Sequence, residues 1–144
     1  MATFYLSGPM RGLPKFNFPA FDKAAEAGRA LGHTVISPAD LDREIGHTED
    51  DLLEDVNSPA KMRMFADRDC TAILSLRAER GDGIALLPGW ERSTGALAEI
   101  MLARWIGLVV YDATTWLPMT EDVVARVDYT QITCRLFDYL MPDE

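Results

Sequence analysis

The chain opens on an apolar stretch, Thr3 to Ser7, that stops at Gly8-Pro9 and passes into a loop through Arg11 and Gly12. A short continuous apolar run bounded by turn residues predicts a buried β-strand. From Phe18 to Leu31 the period changes: Phe21, Ala24, Ala25, Gly28 and Leu31 recur at helical spacing, and Gly32 stands where a C-terminal cap belongs. His33 to Ser37 predicts a second strand. Residues 40 to 60 are rich in Asp, Glu, Asn, Ser and Pro, which predicts an exposed acidic insertion rather than a domain boundary. A helix is then predicted over Pro59 to Glu79, with Met62, Phe65, Ala66, Ile73 and Leu74 on its apolar side. Gly83 to Leu87 and Leu108 to Tyr111 predict two more strands, and Ile132 to Leu140 a closing helix. Between those strands lies an apolar helix that Ser93 or Thr94 can cap.

Strands that alternate with helices and read as unbroken apolar runs predict a parallel sheet covered on both faces. The expected fold is therefore α/β, a single flavodoxin- or Rossmann-like domain over residues 1 to 144, with four to five parallel strands and helices on both faces. Ligands of such sheets bind beyond the carboxyl ends of the strands. Three loops meet there: Ser7 to Gly12, the residues after Val35, and Pro88 to Gly95.

One residue breaks the apolar pattern of the helix after Ser93. From Gly95 to Ala103, Glu99 is the only charge, and its helical neighbours are Gly95, Ala96, Leu102 and Ala103. A helix apolar on every side is expected to be buried, where an unpaired carboxylate is costly unless it is hydrogen-bonded, paired or neutralised. Glu99 is thus either a functional acid or one that merely points into a solvent cleft or pairs with Arg92 or Arg104.

Composition narrows the partners. With 144 residues and 48% hydrophobic content, one compact domain is expected. Lys and Arg number 14 against 23 Asp and Glu, a net charge of -9, which repels nucleic-acid polymers and anionic membranes. A small phosphorylated ligand is compatible with that charge, because an arginine and backbone amides suffice to bind it. The two cysteines, Cys70 and Cys134, have neither disulfide-framework nor zinc spacing. No basic leader pattern and no apolar run of about 20 residues is present, so a cytoplasmic protein with no membrane contact is expected. No metal or organic cofactor is expected either. The histidines, His33 and His47, lack a catalytic or ligating context, and Asp40, Asp42, Glu49, Asp50 and Asp51 lack the spacing of a cation loop.

The remaining candidates each carry two readings. Ser7-Gly8-Pro9-Met10-Arg11-Gly12 either cradles an anion with its N–H groups and the Arg11 fork or is a tight turn with a surface arginine. It matches neither the dinucleotide fingerprint nor the P-loop. Ser93 is either a plain N-cap or a cap that also faces a phosphate at the helix start. Asp69 or Asp67 either presents a second carboxylate to the cleft or pairs with Arg63 or Arg68. Trp90 either stacks on a base or packs in the core, and Tyr5 either reaches the cleft or simply fills the sheet.

Tyr5-Leu6-Ser7-Gly8-Pro9-Met10-Arg11-Gly12, Asp69, Gly81-Asp82 before a strand, and Ser93-x-Gly95-x-x-x-Glu99 together resemble the nucleoside 2-deoxyribosyltransferase superfamily. The order is most similar to its branch of 2'-deoxynucleoside 5'-monophosphate N-hydrolases, small phage and bacterial proteins, over about residues 3 to 111. The resemblance implies an N-glycosidase in which Glu99 attacks the anomeric carbon and Asp69 is the second acid, with Asp67 as the alternative because the Asp69 to Asp82 interval is long for the family. Tyr5 would orient the nucleophile. Gly8, Arg11 and Ser93 would take the 5'-phosphate, with Ser7, Met10, Gly12, Trp90 and Gly95 completing the substrate site. Transferases acting on free nucleosides usually carry an aspartate at the Ser93 position, so the serine points to nucleotides. The resemblance also implies a homodimer or larger assembly, with the neighbour's segment Asp128 to Tyr139 near the site. Two alternatives to hydrolysis are a base-exchanging deoxyribosyltransferase and a nucleotide-binding module without turnover.

Overall fold

The computed structural model describes residues 2 to 48, 59 to 130 and 132. Strands β1 (Thr3–Ser7), β2 (Thr34–Ile36), β3 (Gly83–Leu86), β4 (Val109–Asp112) and β5 (Leu117–Pro118) form one sheet in the order β2-β1-β3-β4-β5. The helices are α1 (Phe18–Ala30), α2 (Pro38–Glu44), α3 (Pro59–Leu74), α4 (Thr94–Trp105) and α5 (Glu121–Ala125). The first four strands are parallel, with Tyr5 beside both Ile36 and Ile84 and Ala85 beside Tyr111. The expected α/β architecture is present in that form. β5 departs from it: it runs antiparallel to β4, because only a tight turn joins the two and a parallel return needs a long crossover.

Alternation along each strand divides the core in two. Phe4, Leu6, Ala85 and Leu87 face Phe18, Phe21, Ala24 and Ala25 of α1, while Tyr5, Ile84 and Leu86 face Ile73, Leu97, Ile100 and Ala103 of α3 and α4. Ser7 shares the face of Tyr5 and is equally buried. Both therefore point toward α4.

The loop after β1 is tied to the entry of α1 and to the end of β3. Lys15, Phe16 and Asn17 take left-handed backbone angles (φ 52, 56 and 59) that turn the chain sharply into α1. The Asn17 side-chain amide donates to the Pro9 carbonyl at 2.7 Å, which pins the loop against the helix start. Gly8 packs so closely on the end of β3 that a Cβ there would stand 2.8 Å from Leu87 Cβ. Asp82, just before β3, accepts from the backbone N–H of Thr3 and of Arg77, each at 2.9 Å. Its carboxylate thus fastens β1 to the approach of β3 rather than entering the cleft.

Three expectations are corrected. The acidic stretch is not wholly an exposed insertion: Pro38–Glu44 forms α2, and Asp42 is only 3% exposed. Residues 49 to 58 of that stretch lie outside the described residues, as do residues 133 to 140 of the expected closing helix. α3 stops at Leu74 rather than Glu79, where Leu76 takes the buried position expected of Leu74. α4 is two-faced instead of buried all round, with Met101 51% and Trp105 85% exposed. Among the described residues no helix is long and apolar enough to cross a membrane.

Candidate active site

At the carboxyl ends of β1 and β3, a cavity of about 390 Å³ opens between the first loop, α3 and the start of α4. Its volume falls in the range of small-molecule sites, about 300 to 1,000 Å³. At one end stand Gly8, Pro9, Met10 and Arg11 with Arg92, Ser93, Thr94 and Gly95; α3 contributes Met62, Phe65, Arg68, Asp69 and Cys70; Glu99 lines the wall between them.

Glu99 is held on both oxygens. The Tyr5 hydroxyl donates to Oε2 at 2.5 Å and the Ser7 hydroxyl to Oε1 at 2.8 Å. These donors are two apart on β1 and share one face, which is why a strand can serve both oxygens of one carboxylate. Neither Arg92 nor Arg104 is the partner: Arg104 pairs with Glu121 on α5. Burial and the nearby Asp69 charge push the Glu99 carboxyl up to about 8, against the hydrogen bonds from Tyr5 and Ser7 and the Arg68 charge, which favour ionisation. Burial likewise raises the Tyr5 phenol, and the Glu99 charge adds to it.

Asp69 and Asp42 line this cavity with Glu99, whereas Asp67 is exposed and does not line it. Arg68 Nε donates to Asp69 Oδ1 at 2.8 Å, so pairing with Arg68 and a place in the cleft hold together. Burial raises the Asp69 carboxyl, opposed by Arg68 and, least, by the nearby Tyr5 hydroxyl. Both acids are raised by burial, and the charge of Asp69 raises Glu99 further, so the two carboxyls titrate as a coupled pair.

At the other end, Ser93 caps α4: its Oγ accepts from the Ala96 N–H at 3.2 Å. A hydroxyl that accepts within the cap keeps its own proton free to donate to a ligand. The free N–H groups of the first helical turn point the same way. Arg11 lines the facing wall, and Gly95 leaves open space, with nothing within 4 Å of where a Cβ would stand.

Three residues expected to contact substrate do not line the cavity: Ser7, fully buried, is engaged in holding Glu99, and Trp90 and Gly12 lie elsewhere. Trp90 is only 7% exposed and packs with Ile100 and Leu97 in the core, because the Trp90–Arg92 turn tucks its ring under α4. Gly12 is exposed and off the cavity wall, taking a left-handed φ of 78 that closes the loop's turn. Sequence reasoning in turn missed Asp42, Phe65 and Arg92 as cleft residues and treated Arg68 only as an ion partner. The Arg68-Asp69 pair next to Phe65 at i-3 was the one local signal available. No group of His, Cys, Asp and Glu among the described residues is arranged to hold a metal ion. Cys70 is a free thiol on the cavity wall, raised by burial.

A family model described as a domain of unknown function, DUF4406, matches residues 2–112, which takes in β1 to β4 and the whole cavity lining. No curated protein and no solved structure matches the chain.

Proposed function

The chain belongs to the DUF4406 family, and from the residues its cleft brings together we propose that it is an N-glycosidase of nucleoside 5'-monophosphates, deoxyribonucleotides foremost. The observation that carries this reading is the Glu99 carboxylate, held by Tyr5 and Ser7 in a cavity wall beside a second acid. A carboxylate held from behind by two hydroxyls, with a partner acid nearby, suits displacement at an anomeric carbon. Ser93, Arg11 and the amides at the start of α4 supply donors for a phosphate at the cavity's far end.

The reaction runs in two steps. The Glu99 carboxyl, raised to about 8, first passes its proton by way of the Tyr5 hydroxyl to Asp69. As a carboxylate it then attacks C1' of the sugar, the C1'–N bond breaks toward the base, and protonated Asp69 delivers the proton that lets the base leave neutral. Asp69, now a carboxylate, takes a proton from water, whose oxygen attacks C1' and frees Glu99. The sum is nucleotide plus water giving free base plus sugar 5-phosphate. Tyr5 steadies the ionised Glu99 and, with Asp69 nearby, lies where that proton moves. The same reading takes the chain as a homodimer, for which Met101 and Trp105 on the outer face of α4 offer apolar surface.

A panel of nucleoside monophosphates and free nucleosides, followed by chromatography for free base, tests this function. Base and sugar phosphate are expected in equal amounts, with monophosphates cleaved faster than their nucleosides. Base exchange that occurs only with an added acceptor base would replace hydrolysis by transfer. Nucleotides recovered intact together with measurable binding would leave a binding module.

A further inference from the structure

Arg68 is placed where its own helix would not put it. Consecutive residues on a helix point about 100° apart and do not face each other. Arg68 nevertheless turns its Nε onto Asp69 Oδ1 at 2.8 Å. Two contacts hold that turn: Nη1 donates to Asp42 Oδ1 at 2.6 Å, and the Phe65 ring lies 5.3 Å from the guanidinium carbon. Asp42 comes from α2, 26 residues earlier in the chain, and is 3% exposed. A buried ion pair is a poor source of net stability, since dehydrating both charges offsets most of their attraction. Its geometric effect is plain, because the guanidinium is a planar fork with one edge on Asp42 and its Nε on Asp69.

Resting on the N-glycosidase reading above, we propose that Asp42 is a positioning residue: it anchors Arg68, and Arg68 thereby holds the Asp69 carboxylate in place beside Glu99. Asp69 meets charged and titratable groups from every side: Arg68 on α3, Tyr5 on β1, Asp42 on α2 and Glu99 on α4. Asp42 itself is faced by Arg68, His47 and Arg43. Asp42 therefore acts on Asp69 in two opposite ways. Through space alone, its negative charge makes Asp69 harder to ionise. By holding Arg68 in contact, it makes Asp69 easier to ionise.

The sign of one shift separates positioning from simple charge. Carbon-13 NMR of the side-chain carboxyls, in ligand-free protein, follows Asp69 and Glu99 across pH in wild type, Asp42→Ala and the isosteric Asp42→Asn. If Asp42 anchors Arg68, the Asp69 midpoint rises in Asp42→Ala by about one pH unit, the scale of losing a close opposite charge. It moves the same way by less in Asp42→Asn, whose amide keeps a weaker bond to Arg68. A midpoint that falls or stays put in either folded variant overturns the proposal, and the amide spectrum reports the fold. On substrate, both variants are expected to lower kcat severalfold while KM stays within about twofold, since Asp69 is placed at the base-departure step. An equal rise in KM overturns the positioning role. The titration needs no turnover, so failure to cleave any nucleotide would remove the functional reading while Asp42 anchoring is still decided by the NMR.

Discussion

Glu99→Gln is expected to lower base release at least about a thousandfold, as loss of a nucleophile does, and to leave a protein more stable than wild type at pH 8. Proton linkage sets the sign of that second effect. The Glu99 carboxyl titrates at about 8 in the fold, above its ordinary value of 4.5. Between those values the folded chain holds a proton that the unfolded chain has released, so raising the pH favours unfolding across this window. The contribution is intact below the ordinary value and declines until the folded group itself ionises. Gln carries no such charge and keeps one oxygen to accept from Tyr5 or Ser7. The gap in Tm between Glu99→Gln and wild type should therefore be small near pH 5 and widen toward pH 8. With water in the cleft screening part of the effect, about 1 to 3 kcal/mol, or several degrees, is expected. Thermal unfolding at a series of pH values reads it. A gap independent of pH would mean that Glu99 is not held against ionisation, and wild-type base release in the Gln variant would remove it as nucleophile.

Ser93→Asp is expected to raise KM for a monophosphate about a hundredfold while hardly changing cleavage of the matching nucleoside. Aspartate caps a helix as well as serine does, and its charge suits the helix start, so the fold and α4 should persist. What changes is the ligand's surroundings. A hydroxyl proton available to a phosphate becomes a negative charge within the same turn, and two close anions repel by an amount that easily spans two orders of magnitude in affinity. Steady-state kinetics on a nucleotide and nucleoside pair, with unfolding curves as the control, distinguish this from damage to the helix. Equal losses on both substrates would place the phosphate elsewhere.

The readable parts of the chain are those whose cause is local. β1, α1, β3 and α4 announce themselves through apolar runs, helical spacing and an N-cap, and their order leads to a sheet whose strand ends gather Gly8, Arg11, Ser93 and Glu99. Glu99 stands out because a lone charge in an apolar segment is visible without a structure. The surroundings that define its chemistry are not visible in that way. Tyr5 and Ser7 lie 94 and 92 residues away in sequence, and only the sheet brings them to its two oxygens. Asp42 sits in a stretch whose composition reads as solvated, yet it is buried because α2 lays it against Arg68. Trp90, three residues before the candidate phosphate serine, reads equally as a stacking platform or a core residue, and the 3-10 turn at Trp90–Arg92 sends the ring inward. β5 escapes detection because two residues carry no periodicity.

The proposed mechanism stands or falls on a covalent bond between Glu99 and the sugar. A 2'-deoxy-2'-fluoro nucleoside monophosphate destabilises the oxocarbenium-like transition states of both steps, and a leaving group good enough to keep the first step fast lets the intermediate accumulate. Peptide mass spectrometry of the acid-quenched protein then measures the adduct directly. One fluororibosyl 5-phosphate per chain is expected on the peptide carrying Glu99, formed together with a burst of free base and absent in Glu99→Gln. A burst of base with the sugar bonded to another residue, or steady base release with Glu99 never modified, would contradict it.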